Sequence, residues 1–209
     1  MLTYYSSQDT LGFVNDGLTM GNIIGTWNVG TGTLTLTSAG NTATAAQFEA
    51  ALRAVTYNNS STSPNTTTRT VQFTVTDGSS VQSTAVTRDI TITAVNNSPT
   101  ISAVASLPII EDTPTALGQI TFSDVDTTLG VVTFSVGSGT LSAIGAGGVT
   151  VGGTATALTL SGTLANINNF ILANRLLYTP AANASGDVTL TININTTSVS
   201  DTTTTVTQQ

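Results

Sequence analysis

The feature that most constrains the fold of this chain is an internal repeat. Residues 29–34 (VGTGTL) recur as residues 136–141 (VGSGTL). Each copy is followed, in the same order, by a helix-like segment, a strand around Tyr57 or Tyr178, a turn rich in Asn, Ser and Pro, and an alternating strand. Matching order over so many elements indicates one module present twice. The second copy has an extra segment, residues 148–159, which predicts an added hairpin.

Strands dominate both copies, and each copy contains one short helix. Apolar residues alternate with polar ones at Val71, Phe73 and Val75, and the same pattern covers residues 132–136 and 188–194, as expected of strands with one buried face. The sequence Asp-Gly-Ser-Ser at residues 77–80 predicts a hairpin turn. Two segments have apolar residues at helical spacing instead, residues 45–55 and 164–175. We therefore predict an all-β protein in which each module carries one short helix.

The boundary between the modules is predicted at residues 95–99 (VNNSP). Proline cannot donate to a strand ladder and keeps the residue before it extended, which suits a short, stiff joint. This places one module at residues 1–97 and the other at residues 98–209. Met1 lies 28 residues before Val29, whereas Pro99 lies 37 residues before Val136. The difference of about one strand predicts that the first module is cut from a longer array, or that a neighbouring subunit supplies its missing strand.

Composition excludes several classes of function. The net charge is −7, lysine is absent, and the four arginines, predicted to stand alone, are too few to bind a phosphate backbone or an anionic membrane surface. Histidine and cysteine are also absent, so zinc sites, disulfides and the common base–nucleophile pairs cannot form. No apolar run approaches the ~20 residues needed to cross a bilayer. We predict that the protein is not an enzyme, binds no nucleic acid and does not insert into membranes.

Several motifs resemble one known group of proteins. Some stretches are similar, in the same order, to the cadherin-like and VCBS-type repeats of giant bacterial adhesins: residues 32–78, 93–99 (TAVNNSP), 110–113 (IEDT), 120–126 (ITFSDVD), 178–183 (YTPAAN) and 186–190 (GDVTL). The resemblance implies tandem cadherin-like or immunoglobulin-like β-sandwiches on the bacterial cell surface. It also implies calcium between modules, although Asn97 stands where the family commonly has an aspartate.

Calcium is the one cofactor for which the sequence offers candidate ligands. This ion takes six to eight oxygen ligands. Asp124 and Asp126 are two residues apart at a strand end, so both side chains can face one way. The other candidates lie near the joint or in a turn: Asn96, Asn97, Glu111, Asp112 and Asp77. Two interpretations remain open, since the same acids also serve as turn-formers and solvated strand ends.

The predicted function is structural and adhesive. The chain is expected to act as a stiff spacer or interaction module of an extracellular surface protein, with neighbouring modules, copies of itself, or surface glycans and proteins as partners. One alternative is a filament, sheath or surface-layer subunit that is completed by strand addition between chains. A second is a carbohydrate-binding module, for which Trp27, Tyr4 and Tyr5 are the candidate stacking rings.

Overall fold

The chain is an all-β protein, as predicted. The computed structural model describes residues 1–196 and the strand at residues 204–208. Strands form most of its regular structure, and the two α-helices have nine residues each. The chain divides into two compact units, Met1–Val95 and Asn96–Gln209, close to the boundary expected from Pro99. Among the described residues, no helix is long and apolar enough to span a membrane.

The first unit contains three separate two-stranded antiparallel sheets and one helix. The sheets pair β1 with β4, β2 with β3, and β5 with β6. The β5–β6 hairpin confirms the turn predicted at residues 77–80. The elements are β1 (Asp9–Gly12), β2 (Ile23–Asn28), β3 (Thr33–Ser38), a 3₁₀ turn (Ala39–Asn41), α1 (Ala45–Arg53), β4 (Thr56–Asn59), β5 (Arg69–Phe73) and β6 (Val86–Ile90).

The second unit has a five-stranded sheet in the order β12-β13-β10-β15-β16, a three-stranded sheet in the order β11-β14-β8, and the pair β7–β9. Its hairpin of β12 and β13 confirms the prediction of an added hairpin. The elements are β7 (Thr100–Ala103), β8 (Thr115–Ala116), β9 (Ile120–Ser123), β10 (Leu129–Val136), β11 (Thr140–Ala143), β12 (Thr150–Thr154), β13 (Ala157–Thr163), α2 (Leu164–Leu172), β14 (Leu176–Thr179), β15 (Leu190–Thr196) and β16 (Thr204–Gln208).

Both predicted helices form, and both begin at a threonine. The side chain of Thr44 accepts a hydrogen bond from the Gln47 amide, and that of Thr163 accepts one from the Asn166 amide. Such caps satisfy amides that have no partner inside the helix. The helices end two or three residues earlier than predicted. After α2, Asn174 adopts a left-handed backbone conformation (φ 58°), which asparagine tolerates well and which commonly ends a helix.

The two units bury very different amounts of apolar surface. In the second unit, β10 has β13 on one side and β15 on the other, and Val132 and Phe134 are fully buried. In the first unit, whose residues are all described, β2 pairs only with β3, and β5 pairs only with β6. Accordingly, α2 buries four apolar side chains while α1 buries only Ala51. The repeat therefore has a continuous core in its second copy and a divided one in its first.

Candidate functional site

The predicted calcium ligands Asp124 and Asp126 lie in one tight turn that follows β9. Asp124 Oδ1 accepts hydrogen bonds from the amides of Asp126 (2.8 Å) and Thr127 (3.3 Å). Asp126 Oδ2 accepts hydrogen bonds from the amide of Asn97 and from Asn97 Nδ2 (3.0 Å for the latter). The second unit thus ties its first residues to this turn through Asp126, which brings Asn97 to the two carboxylates.

One oxygen in this turn is buried without a hydrogen-bond partner. It is Asp124 Oδ2, which no donor reaches within the described part of the chain. An ionised oxygen that is removed from water without a partner is costly, so the position favours an added cation. Asp124 and Asp126 supply carboxylate oxygens, and Asn96 and Asn97, both half-buried, carry amide oxygens of the kind that calcium accepts. The residue types in this turn therefore fit an oxygen-coordinated ion.

The remaining predicted ligands do not join this turn. No three acidic side chains among the described residues lie close enough together to hold a metal ion. Glu111 and Asp112 lie in an exposed loop before β8. Asp77 belongs to the first unit and acts as a turn-former, because its Oδ1 accepts hydrogen bonds from the amides of Ser79 and Val81 (both 2.9 Å). For Asp77, the turn interpretation explains both bonds of the carboxylate.

The Asp9 carboxylate, which accepts four hydrogen bonds in the first unit, was not identified from the sequence. Arg69 Nε donates to Asp9 Oδ2 (2.9 Å), and both side chains have no exposed surface. This ion pair was not predicted from the sequence. The Asp9 carboxylate also accepts hydrogen bonds from the Tyr57 hydroxyl (2.6 Å), Asn59 Nδ2 (2.8 Å) and the Tyr5 amide (2.9 Å). We call these five residues the Asp9 network.

The rest of the Arg69 guanidinium is also satisfied. Its Nη1 donates to the backbone carbonyls of Asn65 (2.8 Å) and Thr67. The guanidinium carbon lies 4.5 Å from the centre of the Tyr5 ring, a cation–π contact. Since β1, β4 and β5 each supply a member, the network joins two of the separate sheets of the first unit. Both carboxylate oxygens of Asp9 accept hydrogen bonds from within the first unit, so we interpret the network as structural and not as a ligand site.

The Asp9 network shifts the ionisation of its members. Burial alone would raise the pKa of Asp9, but the hydrogen bonds from Arg69, Tyr57, Tyr5 and Asn59 outweigh it and lower the pKa below its ordinary value. Burial and the hydrogen bond to Asp9 raise the pKa of Tyr57. Asp16, an exposed residue of the same unit, has a pKa lowered to about 2, mainly by hydrogen bonds from Thr19 and Leu18.

The aromatic candidates for sugar stacking are engaged within the first unit. The rings of Tyr4 and Trp27 meet edge to face, with centroids 5.8 Å apart and an interplanar angle of 82°. The Tyr4 hydroxyl donates to the carbonyl of Val29 (2.7 Å), and Tyr5 lies against Arg69. These contacts explain the positions of the rings without a ligand, and the carbohydrate-binding alternative stays a prediction.

Comparison with known proteins identified no related protein. No protein-family model matches the chain, and neither a curated protein nor a solved structure matches it.

The Asp9 network predicts a large effect of one substitution on the stability of the first unit. We expect Asp9→Asn to lower the free energy of unfolding of the first unit by roughly 3–5 kcal/mol, because it leaves a buried guanidinium without its counter-charge. Trp27, the only tryptophan, lies in this unit, so urea unfolding followed by its fluorescence reports the change. Asp77→Asn, in an exposed turn, is the control, and we expect it to cost less than about 1 kcal/mol.

The pH dependence of the same variants provides the second readout. A lowered folded-state pKa means that ionised Asp9 contributes stability above its unfolded pKa of about 3.8 and that this contribution is lost as the pH falls through the folded-state value. The first unit of the unmodified protein should therefore weaken between about pH 5 and pH 2. The decline should be shallower in the Asp9→Asn variant, where only groups such as Asp16 still titrate. Equal slopes for the two proteins would contradict the role given to Asp9.

Proposed function

We propose that the chain is a structural and adhesive segment of an extracellular bacterial surface protein, acting as a stiff spacer or interaction module without catalytic activity. The observation that carries the proposal is the tandem repeat of an all-β unit, in which a threonine-capped helix, a tyrosine-bearing strand and a hairpin-forming strand recur in order. A repeated unit of this kind adds length and surface with each copy. The resemblance to cadherin-like repeats supports the same function.

The sequence chemistry also supports a structural function. A chain without histidine, cysteine or lysine has no common nucleophile–base pair. The buried ion pair of the first unit, Asp9 with Arg69, already has its hydrogen bonds filled by neighbouring residues. We therefore interpret it as a structural element and not as a catalytic one. The proposed partners are neighbouring modules, copies of the chain, and proteins or glycans on surfaces.

Surface exposure is the experiment that tests this function. Antibodies raised against the purified chain should label intact cells of the source organism, and deletion of residues 1–209 from the encoded protein should reduce attachment of those cells to surfaces. An antibody against a cytosolic protein is the control for cell integrity. Labelling that appears only after the cells are permeabilised would refute the proposal.

Calcium is proposed as the ion that stiffens the second unit. The support is the buried, unpartnered Asp124 Oδ2, which lies in the same turn as Asp126, whose carboxylate is bonded to Asn97. A bound cation there would neutralise the two carboxylates and strengthen the tie between the start of the unit and the turn after β9. Glu111, Asp112 and Asp77 are not part of this proposal, since the first two lie in an exposed loop and the third is a turn-former.

Thermal melting tests the calcium proposal. With a dissociation constant of about 0.1–1 mM, typical of extracellular modules, 10 mM calcium should stabilise the unit by roughly 1.5–3 kcal/mol. The chelator EDTA should reverse the shift. We expect Asp124→Asn to remove the calcium response while Asp77→Asn retains it. If 10 mM calcium leaves the melting temperature of the unmodified protein unchanged, the site does not exist with this affinity.

A second candidate function is assembly by strand addition between chains. In the second unit β7 pairs with β9, where Ile101 lies opposite Phe122, and Phe122 is buried. Asp16 makes the same turn in the first unit as Asp124 in the second, since each accepts hydrogen bonds from the amides two and three residues later. By this alignment Val14 is the counterpart of Phe122, yet it is 81% exposed. The first unit, described in full, has no strand in the position of β7.

A peptide tests the strand-addition candidate. A synthetic peptide of residues 97–106, which contains β7, should bind the purified chain and change the fluorescence of Trp27. A peptide with proline at positions 101 and 103 is the control, because proline removes the amide donors that a strand ladder needs. The Val14→Asp variant should also lose binding. Two results together would exclude this mode of assembly: the chain sediments as a monomer at all concentrations tested, and it does not bind the peptide.

A further inference from the structure

The second unit contains a cavity that neither the spacer function nor the calcium turn uses. It has a volume of about 370 Å³ and lies between the loop at residues 106–111, the loop at residues 180–188 and the ends of three strands. This volume is near the lower end of the range for ligand pockets, roughly 300–1,000 Å³. The cavity can therefore hold one side chain or a small organic molecule.

The floor of the cavity is formed by residues of the hydrophobic core. Leu117, Val136, Tyr178 and Leu190 line it, and each has less than a tenth of its surface exposed. The Tyr178 hydroxyl donates to the carbonyl of Ser138 (3.1 Å), which holds the ring in place. These residues are anchored in strands or beside them, so the apolar floor is formed before any ligand binds.

Two proline rings form part of the walls, and two carboxylates supply the only charges. Pro108 and Pro180 line the cavity from opposite loops, together with Glu111 and Asp187. Within the described part of the chain, neither carboxylate makes a side-chain hydrogen bond or an ion pair. No arginine lines the cavity. The site therefore combines apolar walls with uncompensated negative charge, which attracts a cation.

The chemistry of the walls favours an organic cation over a metal ion. Calcium needs six to eight oxygen ligands, whereas the lining offers two carboxylates, those of Glu111 and Asp187, above a floor of buried apolar side chains. A cation on an aliphatic stem uses both parts of the cavity, since the stem covers apolar surface and the charged end stays near the carboxylates. Lysine has this shape, with a compact ammonium on a four-carbon chain. The protein itself contains no lysine, so such a group has to come from another molecule.

We propose that this cavity binds a lysine side chain presented by a partner protein. Glu111 and Asp187 would pair with the ammonium, and the core residues beneath them would pack against the stem. The proposal names a partner chemistry for the second unit and does not depend on the spacer function, since an intracellular protein could use the same cavity. Failure of one proposal therefore leaves the other intact.

The experiment is a titration of the ¹⁵N-labelled full chain with Nα-acetyl-lysine-N-methylamide, followed by amide chemical shifts. Saturable shifts are expected in residues 106–111 and 180–190. The norleucine analogue has the same stem without the charge, and we expect it to bind at least about tenfold more weakly. Equal binding of the two compounds, or shifts scattered over both units, would overturn the proposal.

Substitutions locate the binding to the cavity. Glu111→Gln and Asp187→Asn should each weaken lysine binding by roughly 1.5- to fivefold, as expected for the loss of one partner of an exposed ion pair. Asp112→Asn removes the charge next to Glu111 without altering the lining and should leave binding unchanged. Calcium is added in a separate arm. If calcium displaces the lysine compound and produces the same shifts, the carboxylates form a metal site and the proposal is wrong.

Discussion

The two units differ in how far their strands are joined into larger sheets. In the second unit β10 is paired along both edges, and its Phe134 packs edge to face on Phe122 with ring centroids 6.2 Å apart and has no exposed surface. In the first unit β2 and β5 belong to different two-stranded sheets. Isolated hairpins are marginally stable in water, so the first unit needs another interaction to hold its sheets together.

The Asp9 network provides that interaction. It links β1, β4 and β5 through one carboxylate and one guanidinium, both without exposed surface. A buried ion pair is not an efficient source of stability, because desolvation offsets much of the attraction, and apolar side chains of the same shape often do as well. Its advantage here is geometric. Asp9 accepts four hydrogen bonds and Arg69 donates in fixed directions, which selects one arrangement of sheets that have few apolar contacts with one another.

The comparison of sequence and structure shows which features depend on local patterns. Both helices and the hairpin at residues 77–80 could be predicted, since a threonine cap, apolar spacing and a turn sequence act over a few residues. The proximity of Asp124 and Asp126 could be predicted for the same reason. The Asp9 network could not, because 60 residues separate Asp9 from Arg69 and nothing near either residue identifies its partner. The spacing of Tyr57 and Asn59, which places both on one face of β4, was the only available signal.

The acids predicted as calcium ligands also show why residue type alone is a weak guide to a site. Asp77, Asp124 and Glu111 were equal candidates for calcium from the sequence, yet their surroundings differ. Asp77 has its Oδ1 occupied by two amides of its own turn. Asp124 has one oxygen in such a turn and the other buried without a donor. Glu111 is exposed and lines a cavity whose floor is apolar and whose lining includes one other carboxylate, that of Asp187. The three carboxylates thus have different surroundings although their residue types are alike. The surroundings matter because a metal ion needs many oxygen ligands, an ammonium needs few, and a turn supplies its own donors.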